Sequence, residues 1–157
     1  MPQADLFMEI HSDHEQVQGI LEKLVQTSKG GRKNRENLFE KLKIDLIPHM
    51  KAEEKVFYPV LAKEKRARED ALEALEEHHV AEMVLKELDK MPKDQDEWKA
   101  KLLVFKELIR KHIEEEESKI FDDARKAFDQ EQISDIFEEF QKNKQSLKNR
   151  LSKKAAA

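Results

Sequence analysis

The chain contains no cysteine. That absence removes disulfides, thiolate zinc sites, cysteine-ligated iron–sulfur clusters and cysteine nucleophiles together, so any metal must be held by nitrogen and oxygen donors. Glycine and proline are scarce, at 3 and 4 of 157 residues, which leaves little turn chemistry for an all-β fold. No apolar run approaches the roughly 20 residues needed to cross a bilayer. The start, Met1 to Asp5, lacks the basic and apolar regions of a secretory leader, so the cytoplasm is the expected compartment. Basic excess is missing too: the formal net charge is −4, and nothing points to a nucleic-acid surface. What the chain does have is charge, 41% of its residues against 38% hydrophobic. That balance suits a single domain of long amphipathic helices with solvated outer faces.

Apolar residues recur at three- and four-residue steps almost throughout. The spacing predicts a first helix over about 5–27, closed by Gly30 and Gly31, and a second over about 35–63 with Pro48 inside it. Pro48 removes a backbone donor and should kink or loosen the preceding turn. A third helix over about 67–90 ends at Met91 and Pro92, and a fourth covers about 96–128. A fifth, about 130–151, starts at Asp129 with Gln132 three residues later, the pattern of a reciprocal helix cap. The expected fold is all-α: an antiparallel up-down-up-down four-helix bundle over residues 1–128, with an additional C-terminal amphipathic helix and tail over 129–157. The fifth helix carries Ile133, Ile136, Phe137, Phe140, Leu147 and Leu151 on one side. That stripe must bury against the bundle or against another molecule, which makes residues 130–151 a candidate surface for a protein partner or self-association. Lys153 to Ala157 are given no function. Gly19 lies inside the first helix, where glycine costs about 1 kcal/mol relative to alanine, and close packing is the one reason at hand. Tyr58 and Trp98, each single of its kind, read as packing residues.

Each inward face is interrupted once. The first helix gives Phe7, Ile10, His14, Val17, Leu21 and Leu24; the second gives Phe39, Leu42, Leu46, His49, Glu53, Phe57 and Val60. The third gives Leu75, His78, Glu82, Leu85 and Leu88; the fourth gives Trp98, Leu102, Phe105, Ile109, His112, Glu116 and Ile120. The interruptions also lie at matching heights. His14 is about 16 residues before the first turn and His49 about 18 after it, and at about 1.5 Å of rise per residue they differ by a few ångströms.

A histidine and a glutamate at i and i+4 are about 40° apart around a helix and point at one interior place. Burying several such groups costs several kcal/mol per unpaired charge. A divalent cation removes that cost, because it partners all of them. A lone histidine on an apolar face is ordinarily structural, and a single His-x-x-x-Glu ordinarily a surface pair. Here the event recurs on four successive helices, and all six histidines of the chain lie in these patches. His11 falls one turn before His14 and off the stripe, in an outer or rim position. His78 is preferred over its neighbour His79 because Leu75, Glu82, Leu85 and Leu88 share its side. Of the run Glu114 to Glu117, Glu116 is the residue directed inward.

These stretches resemble the hemerythrin-like (HHE cation-binding) family over about residues 5–128. The matching motifs are Ser12-Asp13-His14, then His49 with Glu53-Glu54 and Phe57-Tyr58-Pro59, then Glu77-His78, then His112 with Glu116-Glu117 and Ile120-Phe121. The resemblance implies a non-haem centre of two iron ions, oxo- or hydroxo-bridged. Glu53 and Glu116 would be its bridging acids and His14, His49, His78 and His112 its terminal ligands. The chain departs from the oxygen-carrying members twice. Glu82 stands where they have a second helix-three histidine, and their acid five residues after the fourth-helix histidine would select Glu117. A five-residue helical step turns about 140° away, which favours Glu116. A glutamate at position 82 would make one iron more oxygen-rich, favouring the ferric state over simple oxygen carriage.

Three readings follow. The chain binds or senses oxygen, a related small molecule such as peroxide or nitric oxide, or iron itself. Alternatively it is a di-iron enzyme: an oxidase, a peroxidase or a nitrosative-stress repair protein. Ferritin-like oxidases use two Glu-x-x-His motifs, and this chain offers only Glu76 with His79. In the third reading the metal is structural and the chain is an interaction module. A membrane or nucleic-acid partner is expected in none of them.

Overall fold

The computed structural model describes residues 5–157. Met1 to Ala4, on which the reading of a missing leader rests, lie outside the described residues. Every regular element among the described residues is helical. α1 (Leu6–Val25) is capped by Asp5, whose carboxylate accepts the Met8 N–H at 2.9 Å. A single 3₁₀ turn, Lys29–Gly31, leads into α2 (Arg32–Val56). The short α3 (Tyr58–Leu61) follows, then α4 (Arg68–Lys90) and α5 (Asp96–Glu115). One π turn, Glu116–Ile120, carries α5 into α6 (Phe121–Ala127), and α7 (Gln130–Ala156) completes the chain. None of these helices is long and apolar enough to cross a membrane.

Side-chain contacts show how the long helices lie beside one another. Thr27, just past the end of α1, meets Arg35 of α2, and Asp13 of α1 meets His49 of α2. Between α2 and α4, Lys43 meets Asp89 and Glu54 meets His78. Glu87 and Glu77 of α4 meet Lys101 and His112 of α5, while Glu22 of α1 meets Lys106. In each interface the numbers fall along one helix as they rise along its neighbour.

Two proline effects differ from expectation. α2 runs unbroken through Pro48, whereas the helix expected to reach residue 63 stops at Val56. Pro59 is the cause: it has no N–H to offer Lys55, and its ring would meet that carbonyl. The chain re-enters a helix one residue later, with Phe57 N–H bonded to the Glu53 carbonyl at 3.0 Å. This break re-aims Tyr58 toward the interior, where it is fully buried.

Apolar burial splits into two clusters. One gathers Leu6, Ile10, Phe57, Leu61, Phe121 and the α7 residues Ile133, Ile136 and Phe140. The other gathers Leu21, Leu42, Leu46, Leu88, Trp98 and Phe105. The polar residues of the inward faces occupy the level between them. α7 starts with both halves of its cap formed, Gln132 N–H to Asp129 at 2.8 Å and Asp129 N–H to Gln132 at 2.9 Å. Its stripe is covered by the chain's own bundle, and Lys148 reaches Asp45 of α2 at 3.1 Å.

Gly19 has no packing role, contrary to the expectation: nothing lies within 4 Å of where its Cβ would stand. Alanine there should raise stability by about 0.5–1 kcal/mol through lower unfolded-state entropy. Urea denaturation of Gly19→Ala checks this; a loss of stability would show a hidden constraint.

Candidate metal centre

Six residues meet at the level between the apolar clusters: His14 from α1, His49 and Glu53 from α2, His78 from α4, His112 from α5 and Glu116 from the π turn. All six are buried, with Glu53 and Glu116 at 0% exposure. Their donor atoms form two adjoining groups, Glu53–His78–His112–Glu116 and His14–His49–Glu116, each with its atoms within 4.8 Å of one another. Glu116 belongs to both. Glu53 touches both as well, with Oε1 2.9 Å from His49 Nε2 and 3.6 Å from His78 Nε2.

The imidazoles share one orientation. His49 Nδ1 donates to Asp13 at 2.9 Å, His78 Nδ1 to Glu54 at 3.0 Å and His112 Nδ1 to Glu77 at 2.8 Å, while His14 Nδ1 faces Glu117 at 3.7 Å. A ring whose Nδ1–H is given to a carboxylate presents a bare Nε2 on its other side, the arrangement usual for metal-ligating histidine. Here each Nε2 points inward. The four outer acids are the chain neighbours of inner residues: Asp13 of His14, Glu54 of Glu53, Glu77 of His78 and Glu117 of Glu116. Adjacent helical residues are about 100° apart, so one member of each doublet faces the centre and the other faces the seam, where it reaches the next helix's histidine. The links run from α1 to α2, α2 to α4, α4 to α5, and from the π turn back to α1. The first three are hydrogen bonds, and the last is a 3.7 Å approach of Glu117 to His14 Nδ1, which has no hydrogen-bond partner.

The inner donor atoms crowd together, and several of them have no hydrogen-bond partner. His14 Nε2 lies 3.0 Å from Glu116 Oε1, yet both atoms, with Glu53 Oε1, are buried without an aligned hydrogen bond. His78 Nε2 and His112 Nε2 stand 3.1 Å apart. Orphaned buried lone pairs cost about 1–3 kcal/mol each, and an ion of appropriate size satisfies them together. The donor set of imidazole nitrogens and carboxylate oxygens fits a first-row divalent metal.

Without such an ion the charges redistribute. Burial pushes the Glu53 carboxyl up, but the His49 charge outweighs it and holds Glu53 well below the usual range. Burial and then the Glu53 charge push Glu116 up to about 8. Burial pulls His49 down, but the Glu53 and Asp13 carboxylates prevail and raise it to about 10. His112 is held below its ordinary value, chiefly by burial.

Glu82 is not brought to the cluster. It pairs with Lys51 at 3.0 Å and Lys86 at 3.6 Å on the outside. The buried line of α4 is Ala71, Ala74, His78, Ala81, Leu85 and Leu88. Small alanines carry the inward face, so tracing leucines alone rotates it toward Glu82. His79 is exposed. His11 stays at the rim, its side chain 51% exposed, joined to Glu117 and Glu15. Tyr58 is more than a packing residue. Its hydroxyl donates to Glu116 and lies 3.3 Å from Glu53 and 3.5 Å from both His78 Nε2 and His112 Nε2. The signal for it was Pro59, which breaks α2 and turns the preceding side chain inward.

A helical bundle enclosing imidazoles and carboxylates at one level defines a cation-binding helical domain. The chain belongs to the hemerythrin HHE cation-binding domain family, whose model matches residues 4–124. In fold it is similar to the crystal structure of a hemerythrin HHE cation-binding domain-containing protein, an Rv2633c homolog from Mycobacterium kansasii. The two share 19% identity at a TM-score of 0.80, over 94% of this chain and 90% of that one. No curated protein matches the chain.

Proposed function

We propose that the chain holds two iron ions and uses them to bind or sense oxygen, peroxide, nitric oxide or iron itself. The observation that carries this reading is the pair of adjoining donor groups sharing Glu116. One ion would take His14 and His49, the other His78 and His112, with Glu53 and Glu116 placed to serve both. When bound, iron would supply redox chemistry and open coordination positions for a small ligand. The protein's own residues supply the rest. The outer acids orient the rings, the apolar clusters above and below exclude water, and Tyr58 aims its hydroxyl proton at the Glu116 carboxylate. Nitrogen and oxygen donors without thiolate suit iron, while zinc and copper compete for such sites in solution.

The test is metal analysis of protein purified without oxygen, with optical spectra before and after oxygen is admitted. Two irons per chain and a spectrum that reverses on oxygen removal would support binding; irreversible oxidation at first exposure would end the carrier version, and iron well below two per chain the two-ion version. Tyr58 favours a second reading, turnover of peroxide, because a phenol bonded to Glu116 can give up and recover a proton beside the ions. Peroxide consumption should then fall about 10-fold or more in Tyr58→Phe, the low end of the general-acid range. Equal rates in an iron-replete variant would remove that role.

A further inference from the structure

α7 lies beyond the segment that the family model matches, residues 4–124, and yet it reaches the cluster. Lys144 is largely buried, its side chain 12% exposed. Its ammonium lies 2.5 Å from Glu9 and 3.0 Å from each carboxylate oxygen of Asp13. Asp13 in turn takes the His49 Nδ1–H at 2.9 Å. One turn earlier on α7, the fully buried Phe140 sets its ring edge-on against His49, with centroids 5.8 Å apart and planes at 84°. The Lys144 ammonium also stands over that same ring, with Nζ 5.3 Å from its centroid. α7 therefore touches the His49 imidazole on two sides, through a carboxylate and through an aromatic edge.

No other outer acid is held in this way. Glu54 is met by Lys51 of its own helix, 41% exposed, Glu117 by the exposed His11, and no lysine or arginine pairs with Glu77 among the described residues. Asp13 also has a particular need of a counter-charge. Glu9 stands one turn before it on the same face of α1, and like charges at i and i+4 repel. Lys144 bridges the two acids. Without it Asp13 would be free to turn toward water, and His49 would lose the acceptor that fixes its ring.

We propose that Lys144 is a positioning residue for one of the two metal positions, so that the His14–His49 group depends on α7 while the His78–His112 group does not. The inference rests on the two-ion reading above. It assigns the C-terminal helix to the centre itself and makes the two positions unequal, the second ion being the one that α7 secures. Phe140 contributes by closing the space beside His49 to water.

The test is an anaerobic titration of the full-length protein with cobalt(II) against a competing chelator, following both stoichiometry and the visible ligand-field bands. Wild type should take two equivalents. In Lys144→Met, which keeps most of the aliphatic stem and removes the charge, the first equivalent should bind as in wild type. The second should weaken about 10–100-fold, the usual cost of losing an outer partner of a ligand histidine, with a change confined to its bands. Lys144→Arg, which keeps the charge, should recover most of that loss. Unfolding of the metal-free proteins, with unchanged helix content, separates this from a damaged fold. Two unchanged affinities in Lys144→Met would overturn the inference, as would equal weakening of both. A tighter second equivalent would also overturn it, since Lys144 would then act only as a repelling charge. Wild type binding a single equivalent would overturn the two-ion reading first, and this inference with it.

Discussion

Replacing Glu53 and Glu116 together by methionine should make the metal-free protein more stable and the iron-loaded protein less so. Both carboxylates are fully buried, and each keeps one oxygen without a hydrogen-bond partner. Glu53 is stabilised by the charge it induces on His49, which is itself desolvated, and Glu116 is forced to keep a proton. Exchanging such buried ionic groups for apolar side chains of similar length is typically neutral or stabilising by about 1–4 kcal/mol, and methionine is the unbranched, adaptable substitute. Some of that gain will be lost because Tyr58 loses its acceptor and His49 its neighbouring carboxylate charge. The loaded protein behaves oppositely. Free metal at 100 times its dissociation constant adds about 2.7 kcal/mol to the wild type, and the variant, lacking both shared ligands, gains essentially nothing. Guanidinium denaturation with chelator and with iron(II), both without oxygen, would show the two stability curves exchanging order. A metal-free variant several kcal/mol weaker than metal-free wild type would mean that the acids hold the bundle as an ion-pair layer in their own right. The physical ground for a metal would then be gone.

That experiment probes the part of the centre most plainly legible in the residue pattern. An imidazole or carboxylate on an otherwise apolar three-four stripe is conspicuous because helical geometry ties sequence spacing to direction. His14, His49, Glu53, His78, His112 and Glu116 are all brought inward together. The outer acids are harder to see, because Asp13, Glu54, Glu77 and Glu117 resemble ordinary solvated residues. Their role depends on which neighbouring helix lies across the seam, a tertiary fact. Glu82 shows the reverse error: α4 turns alanines inward, and a small residue gives a face little hydrophobic weight. At Tyr58 a single backbone break decides direction, since five residues beyond Glu53 an unbroken helix would carry the side chain about 140° away. The π turn at Glu116–Ile120 adds one residue to a turn, which nothing in the side-chain pattern announces. α7 was legible as an amphipathic helix in need of cover. That its cover is α1 and α2, and that Lys144 meets Asp13, required the fold.

Metal loading should release about two protons per chain at pH 7, and the affinity should rise about 50-fold between pH 7 and pH 8. The protons are those on Glu116, whose carboxyl is pushed to about 8 by burial and the Glu53 charge, and on His49, raised to about 10 against burial by the Glu53 and Asp13 carboxylates. Both must leave before their lone pairs can serve a cation. Their effect on the metal-free fold has a definite sign. Each holds its proton more firmly folded than at its ordinary value of 4.5 or 6.5, so its contribution is complete below that value. It is lost as pH rises through about 8 for Glu116 and about 10 for His49. Glu53 acts oppositely: its depressed carboxyl contributes above 4.5, and that contribution is lost as pH falls through its still lower folded value. The metal-free protein should therefore be most stable in mildly acidic solution and weaken steadily above neutrality. The metal's own contribution strengthens over the same range, so the gap between loaded and metal-free protein should widen with pH. Proton release can be read with an indicator dye during anaerobic iron(II) addition in weakly buffered solution. Glu116→Gln, which has no carboxyl proton to lose, should release about one proton fewer. Release of no protons at pH 7 would mean that both groups are already free of them in the folded chain, and that the cluster is held together by something other than these charges.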